Sequence, residues 1–211
     1  MKEKIPYAVI KRLPRYYRCV SELERENIER ISSHALSIRM GVTASQIRQD
    51  LNCFGGFGQQ GYGYNVKELR NALRNLIGLN RTYSVIIVGA GNIGQALANY
   101  AGFDKEGFYV KAMFDVFVSL SNRSSRNLPL YHIDMLEKYL ESNKIDIAVI
   151  SVTQAEAQAT ADRLVAAGIR YIWNFTPIEL KVPADIVVEN VNLSDSLFIL
   201  SYRCKQENNS I

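Results

Sequence analysis

Little in this sequence of 211 residues favours a metal centre, a disulfide framework or a membrane span. The three cysteines, Cys19, Cys53 and Cys204, are far apart and odd in number, so neither a set of bridges nor a Cys-x-x-Cys clip is expected. The two histidines, His34 and His132, read as structural or solvent-facing, and no metal is expected. No apolar run approaches the roughly 18 residues that cross a bilayer. The first residues are too charged, and turn too early at Pro6, for a secretory leader. The expectation is a cytoplasmic, metal-free chain without membrane contact. With 47% apolar residues it has material for a real core, as one large domain or two small ones.

Charge is unevenly spread. Up to Asn80 there are thirteen Lys and Arg against seven Asp and Glu, a balance of +6; from Arg81 onward there are twelve against fourteen, a balance of −2. A basic first third suggests a domain facing something anionic, although solvated surface charge alone can give the same split.

The most specific stretch is Ser84-Val85-Ile86-Ile87-Val88-Gly89-Ala90-Gly91-Asn92-Ile93-Gly94, a β-branched run ending in Gly-x-Gly-x-x-Gly ahead of a helical segment. Gly89 permits the strand-to-helix turn, Gly91 lets backbone approach a pyrophosphate, and Gly94 lets helix and strand pack closely. The next apolar strand, Phe108 to Phe114, ends at Asp115, about 20 residues on, where a carboxylate can accept from ribose hydroxyls. With no Arg directly after it, Asp115 favours NAD(H) over NADP(H). A glycine turn that binds no dinucleotide is the alternative.

From the N-terminus, Val9, Leu13, Tyr16 or Tyr17, Val20 and Leu23 repeat at helical spacing, with Pro14 expected to break a short lead-in from the main helix. Arg12, Arg15 and Arg18 alternate with that face. Ser32-Ser33 suits the cap of a short helix, His34 to Met40, and Gly41-Val42 makes a turn. Thr43-Ala44-Ser45-Gln46 reads as a capping box opening a second helix. This is a helix-turn-helix pattern, and it places Ser45, Gln46, Arg48 and Gln49 where base edges and phosphates lie. An αα-hairpin that only packs is the alternative. The stretch Phe54 to Tyr64 alternates glycine with aromatic and amide residues and suits the hairpin of a winged helix, whose tip lies on the sugar–phosphate backbone. A flexible linker is the other reading. A helix from Val66 to Leu76 closes the unit at Gly78.

Beyond Asp115, Val116 to Leu130 reads as a surface loop. Helix Ile133 to Ser142, strand Ile145 to Val152, helix Ala155 to Ala167 and strand Arg170 to Trp173 form an alternating series, hence a parallel sheet. Asn174-Phe175-Thr176-Pro177 is then a turn at a strand's carboxyl end, where ligands bind in open sheets. Ile186 to Val191 is a last strand. Leu193 to Tyr202 is an amphipathic helix, capped by Ser194, with Leu197, Phe198 and Leu200 left to bury against a partner subunit.

With those pieces placed, the chain resembles the bacterial redox-sensing repressor family Rex from Ile5 to Tyr202. The resemblance is carried by Ala8 to Arg18, Thr43 to Arg48, Gly61 to Val66, Val88 to Tyr100, Phe114-Asp115, Asn174-Phe175 and Val188 to Val191. It implies an α/β chain with an N-terminal winged helix-turn-helix domain (1–80), a Rossmann-like parallel-sheet domain (81–191), and a C-terminal helix and tail (192–211) exchanged in a homodimer. It implies binding to palindromic double-stranded operator DNA and release when NADH binds, so that the NADH/NAD+ ratio is read. The expected cofactor set is Gly89, Ala90, Gly91, Asn92, Ile93, Gly94, Asp115, Val152, Thr153, Asn174 and Phe175. The expected DNA set is Arg12, Ser45, Gln46, Arg48, Gln49, Gln60 and Tyr62. Arg18 and Tyr100 correspond to a switch network to which Asn192 also belongs.

The chain departs from the family where Asn192 replaces an Asp, Gln49, Gln59 and Gln60 replace Lys or Arg, Phe117 replaces a second acid, and Thr153 replaces a Pro. Fewer cations imply weaker DNA binding and a shallower salt dependence. A divergent paralogue with a weakened DNA or NADH response is therefore one alternative. An NAD-dependent oxidoreductase is another, although the second domain offers no acid/base pair, and the Tyr7 to Lys11 Tyr-x-x-x-Lys lies in the basic domain. No enzymatic activity is expected.

Overall fold

The chain divides after Arg81: Met1–Arg81 and Thr82–Ile211 are separate compact units. The computed structural model describes residues 5–55, 57–59, 62–118 and 126–208.

In the first unit, α1 (Tyr7–Arg25) buries Val9, Leu13, Tyr16, Tyr17, Val20 and Leu23 as one stripe. The expected break at Pro14 does not occur; the helix runs through it. An interior proline costs about 3 kcal/mol, but each large apolar side chain buried along the stripe returns about 1.5–3 kcal/mol, so packing wins. After β1 (Arg30–Ile31), α2 (Ser33–Met40) starts where Ser32 Oγ accepts from the Ala35 amide and stops at Gly41, which is left-handed at φ 62°. Thr43 Oγ1 accepts from the Gln46 amide to open α3 (Ala44–Asn52). The capping box is only half formed, because the Gln46 side chain turns to Asp50.

A hairpin follows, β2 (Gly58–Gln59) and β3 (Gly63–Asn65), and β1 pairs on the other side of β3 to give the order β1-β3-β2. β1 was not foreseen, since two residues carry no periodicity. Helix α4 (Val66–Leu76), capped by Asn65, buries Val66, Leu69 and Leu73 and packs along α1. This is a winged helix-turn-helix arrangement.

The second unit is built on six parallel strands, β4 (Tyr83–Val88), β5 (Phe108–Asp115), β6 (Leu130–His132), β7 (Ile147–Ile150), β8 (Tyr171–Asn174) and β9 (Val187–Asn190), in the order β6-β5-β4-β7-β8-β9. Strand alternation explains the two cores. Ile86 and Val88 pack with Phe114, Ile150 and Leu164, while Val85 and Ile87 pack with Ala98, Met113 and Val149. Both faces are covered, as a parallel sheet requires. The helices are α5 (Asn92–Asn99), α6 (Gly102–Lys105), α7 (Leu136–Ser142), α8 (Gln154–Ala166) and α9 (Leu193–Asn208). Strand β6 corrects the expectation of a loop to Leu130; only three residues long, it gains its order from pairing with the end of β5. Residues 119–125 of that expected loop lie outside the described residues.

Helix α9 extends past Tyr202 to Asn208. Its cap is Asn192, whose Oδ1 accepts from the Ser194 amide, and not Ser194. Leu193, Leu197, Phe198, Ile199, Leu200 and Tyr202 are all more than half exposed within the chain. No helix among the described residues is long and apolar enough to cross a membrane.

Candidate functional site

The order of the six-stranded sheet reverses at β4, between β5 and β7, and such a point opens a crevice at the strands' carboxyl ends. The glycine-rich turn lies there, and each glycine has its own reason. Gly89 sits at φ 101°, and a Cβ on it would lie 2.4 Å from the Ser151 carbonyl oxygen. A Cβ on Gly94 would lie 1.9 Å from the Gly89 carbonyl oxygen. A Cβ on Gly91 would meet nothing within 4 Å, because that position borders open space. Gly91 caps α5 without a side-chain hydrogen bond. The first amides of the helix, at Asn92, Ile93 and Gly94, therefore have no carbonyl partner within it and suit an anion.

Asp115 ends β5 with both carboxylate oxygens engaged. One accepts from the Ala90 amide at 2.6 Å and the other from the Phe117 amide at 2.9 Å. The carboxylate thus stitches the glycine turn to the neighbouring strand, and each oxygen keeps a lone pair for a further donor. Ser151 Oγ completes the frame by donating to the Gly89 carbonyl at 2.9 Å.

A cavity of about 400 Å³ opens from this frame, within the range of small-ligand sites. Gly89, Gly91, Asp115, Val152 and Thr153 line it, as does one face of α8 through Glu156, Ala159, Thr160 and Arg163. That face was missed in sequence, though its i, i+3, i+4, i+7 spacing was there to be read. Thr153 Oγ1 donates to Glu156 at 3.1 Å. Arg163 is committed elsewhere, donating through Nε and Nη2 to the Glu137 carboxylate at 2.6 and 2.8 Å and through Nη2 to the Ile133 carbonyl. Those bonds hold the Glu137 carboxyl below the usual range.

Asn174 and Phe175 stand at the end of β8. Asn174 is fully buried: its amide donates to the Ile178 carbonyl and Asn190 Oδ1, and its oxygen accepts from the Thr176 amide and hydroxyl. Its polar atoms hold the turn that follows. Phe175 packs edge-on against Trp173, 4.7 Å between centroids.

In the first unit, the exposed residues of α3 form one stripe, Ser45, Arg48, Gln49 and Asn52. Asn52 was absent from the sequence expectation and falls on the stripe at i+7 from Ser45. Arg48 Nη1 donates to Ser33 Oγ at 2.9 Å. Arg12 and Gln46 turn inward to Asp50 instead. Tyr62 is 71% exposed near the wing, with the Arg30 guanidinium 6.0 Å from its ring. Gln60 lies outside the described residues, as does the side chain of Gln59.

The three residues matched to a switch lie on separate elements. Arg18 is exposed on α1, beside a 330 Å³ cavity shared with Arg15, Cys19 and Arg39. Tyr100, 58% exposed, ends α5 with its ring edge-on to Phe103 at 4.8 Å. Asn192 caps α9. No group of three or more His, Cys, Asp or Glu among the described residues is placed to hold a metal ion.

Two family models match, "Putative DNA-binding protein N-terminus" over residues 4–52 and "CoA binding domain" over residues 80–178. The chain is 57% identical over 206 residues to the redox-sensing transcriptional repressor Rex of Caldanaerobacter subterraneus subsp. tengcongensis, covering 98% of this chain and 92% of that one. It is 57% identical over 200 residues to Rex of Clostridium botulinum, covering 95% of each. Among solved structures, it is similar to a Rex-family repressor, RSP, in complex with β-NAD+ and operator DNA. That match has a TM-score of 0.90 and 54% identity, over 97% of this chain and 94% of that one. The complex of RSP with β-NADH matches with a TM-score of 0.87 and 52% identity, over 97% and 96% of the two chains. On its near-complete match to these repressors, the chain belongs to the Rex family of redox-sensing transcriptional repressors.

Proposed function

We propose that this chain is a cytoplasmic homodimer that holds palindromic operator DNA through α3 and the wing of each protomer and gives it up when NADH is bound. The observation that carries the nucleotide half is the Asp115 carboxylate, fixed by the Ala90 and Phe117 amides at the rim of a cavity that Gly91 leaves open. A ribose diol can donate to the remaining lone pairs, and the amides of Asn92, Ile93 and Gly94 can take a pyrophosphate. A phosphate on the 2′ or 3′ carbon would meet the carboxylate, and Arg163 is already paired with Glu137. This favours NAD(H) over NADP(H), and over coenzyme A despite the name of the matching family model. The reduced nicotinamide supplies no chemistry here; it is the signal. Because its affinity must differ between the DNA-bound and released dimers, DNA and NADH oppose each other by the same factor.

The exposed apolar residues of α9 support its burial on a partner protomer, and we assign residues 192–211 to that exchange, residues 1–80 to DNA and residues 81–191 to the nucleotide. Phe175 stands one strand beyond the cavity, on the side where the nicotinamide end of a dinucleotide crossing the switch point would lie.

The test is titration of labelled palindromic duplex with protein at fixed salt, adding NADH and then NAD+. NADH releases the DNA at concentrations where NAD+ does not; equal effects would overturn the reading. Asp115→Ala weakens NADH binding about tenfold or more, the worth of a hydrogen bond to a charged group, and an unchanged dissociation constant would remove Asp115 from the site. Arg48→Ala weakens operator binding about tenfold or more, the worth of a bidentate contact, while leaving the dimer intact by light scattering; normal operator affinity would show that α3 does not read the DNA.

A further inference from the structure

The buried face of α3 carries one charged side chain, Asp50, and its surroundings change the account of how bases are read. Asp50 is 1% exposed. Its Oδ2 accepts from Arg12 Nε at 2.6 Å and from the Tyr16 hydroxyl at 2.8 Å, and its Oδ1 accepts from Arg12 Nη2 at 2.7 Å and Gln46 Nε2 at 2.8 Å. A carboxylate offers about four acceptor sites. All four are filled, three of them from α1. The bidentate Arg12 fork fixes distance and angle together, so this hub sets the pose of α3 against α1.

Gln46 and Asp50 are one turn apart, at i and i+4, on the side of the helix next to buried Ile47 and Leu51. Ser45, Arg48, Gln49 and Asn52 lie on the opposite side, all exposed. A glutamine that reads adenine presents its oxygen and nitrogen together to the base edge. In this chain the nitrogen faces inward to a buried carboxylate, and turning it outward would leave a buried acceptor short of a donor.

Resting on the proposed DNA reading of α3, we infer that Gln46 and Arg12 read no base: with Tyr16 they are positioning residues that clamp Asp50 and so aim Ser45, Arg48 and Gln49. The prediction from sequence spacing, that the leading polar residues of α3 all face the groove, is thereby divided. Two of its residues, Ser45 and Gln49, keep that role beside Arg48, and Gln46 leaves it.

The experiment uses the full chain. Duplexes bound by the wild type are selected from a randomised pool, and the best is made as a series with every base pair substituted singly. Affinities for the series are measured at one salt concentration for wild type, Gln46→Ala, Gln46→Met and Arg48→Ala. Both Gln46 variants weaken binding by a similar factor, about threefold to tenfold, on every duplex, so the base-preference profile keeps its shape. Arg48→Ala flattens discrimination about tenfold or more at one position of each half-site, the worth of a bidentate contact. Gln46→Met keeps the length of the side chain without its amide, so a uniform loss in both variants identifies the lost bond to Asp50. Flattening at a single base pair in either Gln46 variant overturns the inference and makes Gln46 a reader. An Arg48→Ala chain with an unchanged profile overturns instead the placement of α3 on the DNA.

Discussion

A chain carrying Gly94→Ala binds NADH about 30-fold to 150-fold more weakly than the wild type and melts at a lower temperature, whereas Gly91→Ala loses binding with its melting temperature unchanged. The two glycines share a motif and differ in what surrounds them. A Cβ at position 94 would lie 1.9 Å from the Gly89 carbonyl oxygen and 3.0 Å from Ser151 Oγ. Backbone held between two parallel strands has nowhere to retreat, so α5 must move off β4 and carry the amides of Asn92 and Ile93 with it. Overpacking of this kind costs the fold about 1–3 kcal/mol; drawing the displaced amides back to the ligand brings that strain back on binding, and the upper part of the range corresponds to the stated loss at about 1.4 kcal/mol per tenfold. At Gly91 a methyl meets no protein atom within 4 Å, so the fold has no reason to respond. The methyl would instead stand in the mouth of the cavity. NADH titration followed by quenching of Trp173, the chain's single tryptophan, reads the binding, and a thermal melt reads the fold. Wild-type affinity in Gly94→Ala would show that the close approach of α5 to β4 is irrelevant to the ligand.

That contrast also marks what was legible in the sequence. The turn at Gly89, the strand before it and the acid at Asp115 are local matters of backbone freedom and β-branched runs, and they could be read residue by residue. That the sheet is parallel follows from the alternation of helices and strands. What could not be read is what depends on partners distant in sequence. Pro14 breaks a helix in isolation and not one whose buried stripe continues on both sides of it. Gln46 looks like a reader until Arg12 and Asp50, 38 residues apart, are known to meet beside it. Strands β1 and β6 are too short to carry a period and exist because a neighbour offers a ladder. Ser194 and Asn192 are both good caps by type, and only the position of the first helical turn decides between them.

Removing Arg12 destabilises the first unit. In Arg12→Ala the Asp50 carboxylate, 1% exposed in the wild type, keeps only Tyr16 and Gln46 to satisfy it. Breaking a buried pair from one side costs about 3–5 kcal/mol; because the Arg12 side chain is itself 33% exposed, about 2–3 kcal/mol is the better expectation. Arg12→Ala combined with Asp50→Leu recovers part of the loss, since an apolar pair needs no compensation. The same hub fixes a pH dependence. Burial pushes the Asp50 carboxyl up, but hydrogen bonds from Arg12, Tyr16 and Gln46 outweigh it and hold the group below its ordinary value. A carboxyl lowered on folding contributes its full stability above the unfolded value, about 3.9, and loses it as pH falls through the lower folded value. Wild-type stability from this source is therefore flat from pH 7 to about 5 and falls in acid below about 4. In Arg12→Ala the strongest opponent of burial is gone and the carboxyl rises toward its unfolded value, so the acid limb that belongs to this residue shrinks. Asp50→Asn removes the limb that belongs to this residue and leaves the part contributed by Glu26 and Glu137, which are also held low by arginines. Melting temperatures of the three variants and wild type between pH 3 and 7 decide the matter: superimposable acid limbs for wild type and Asp50→Asn would mean that the charge on Asp50 is not what ties α3 to α1.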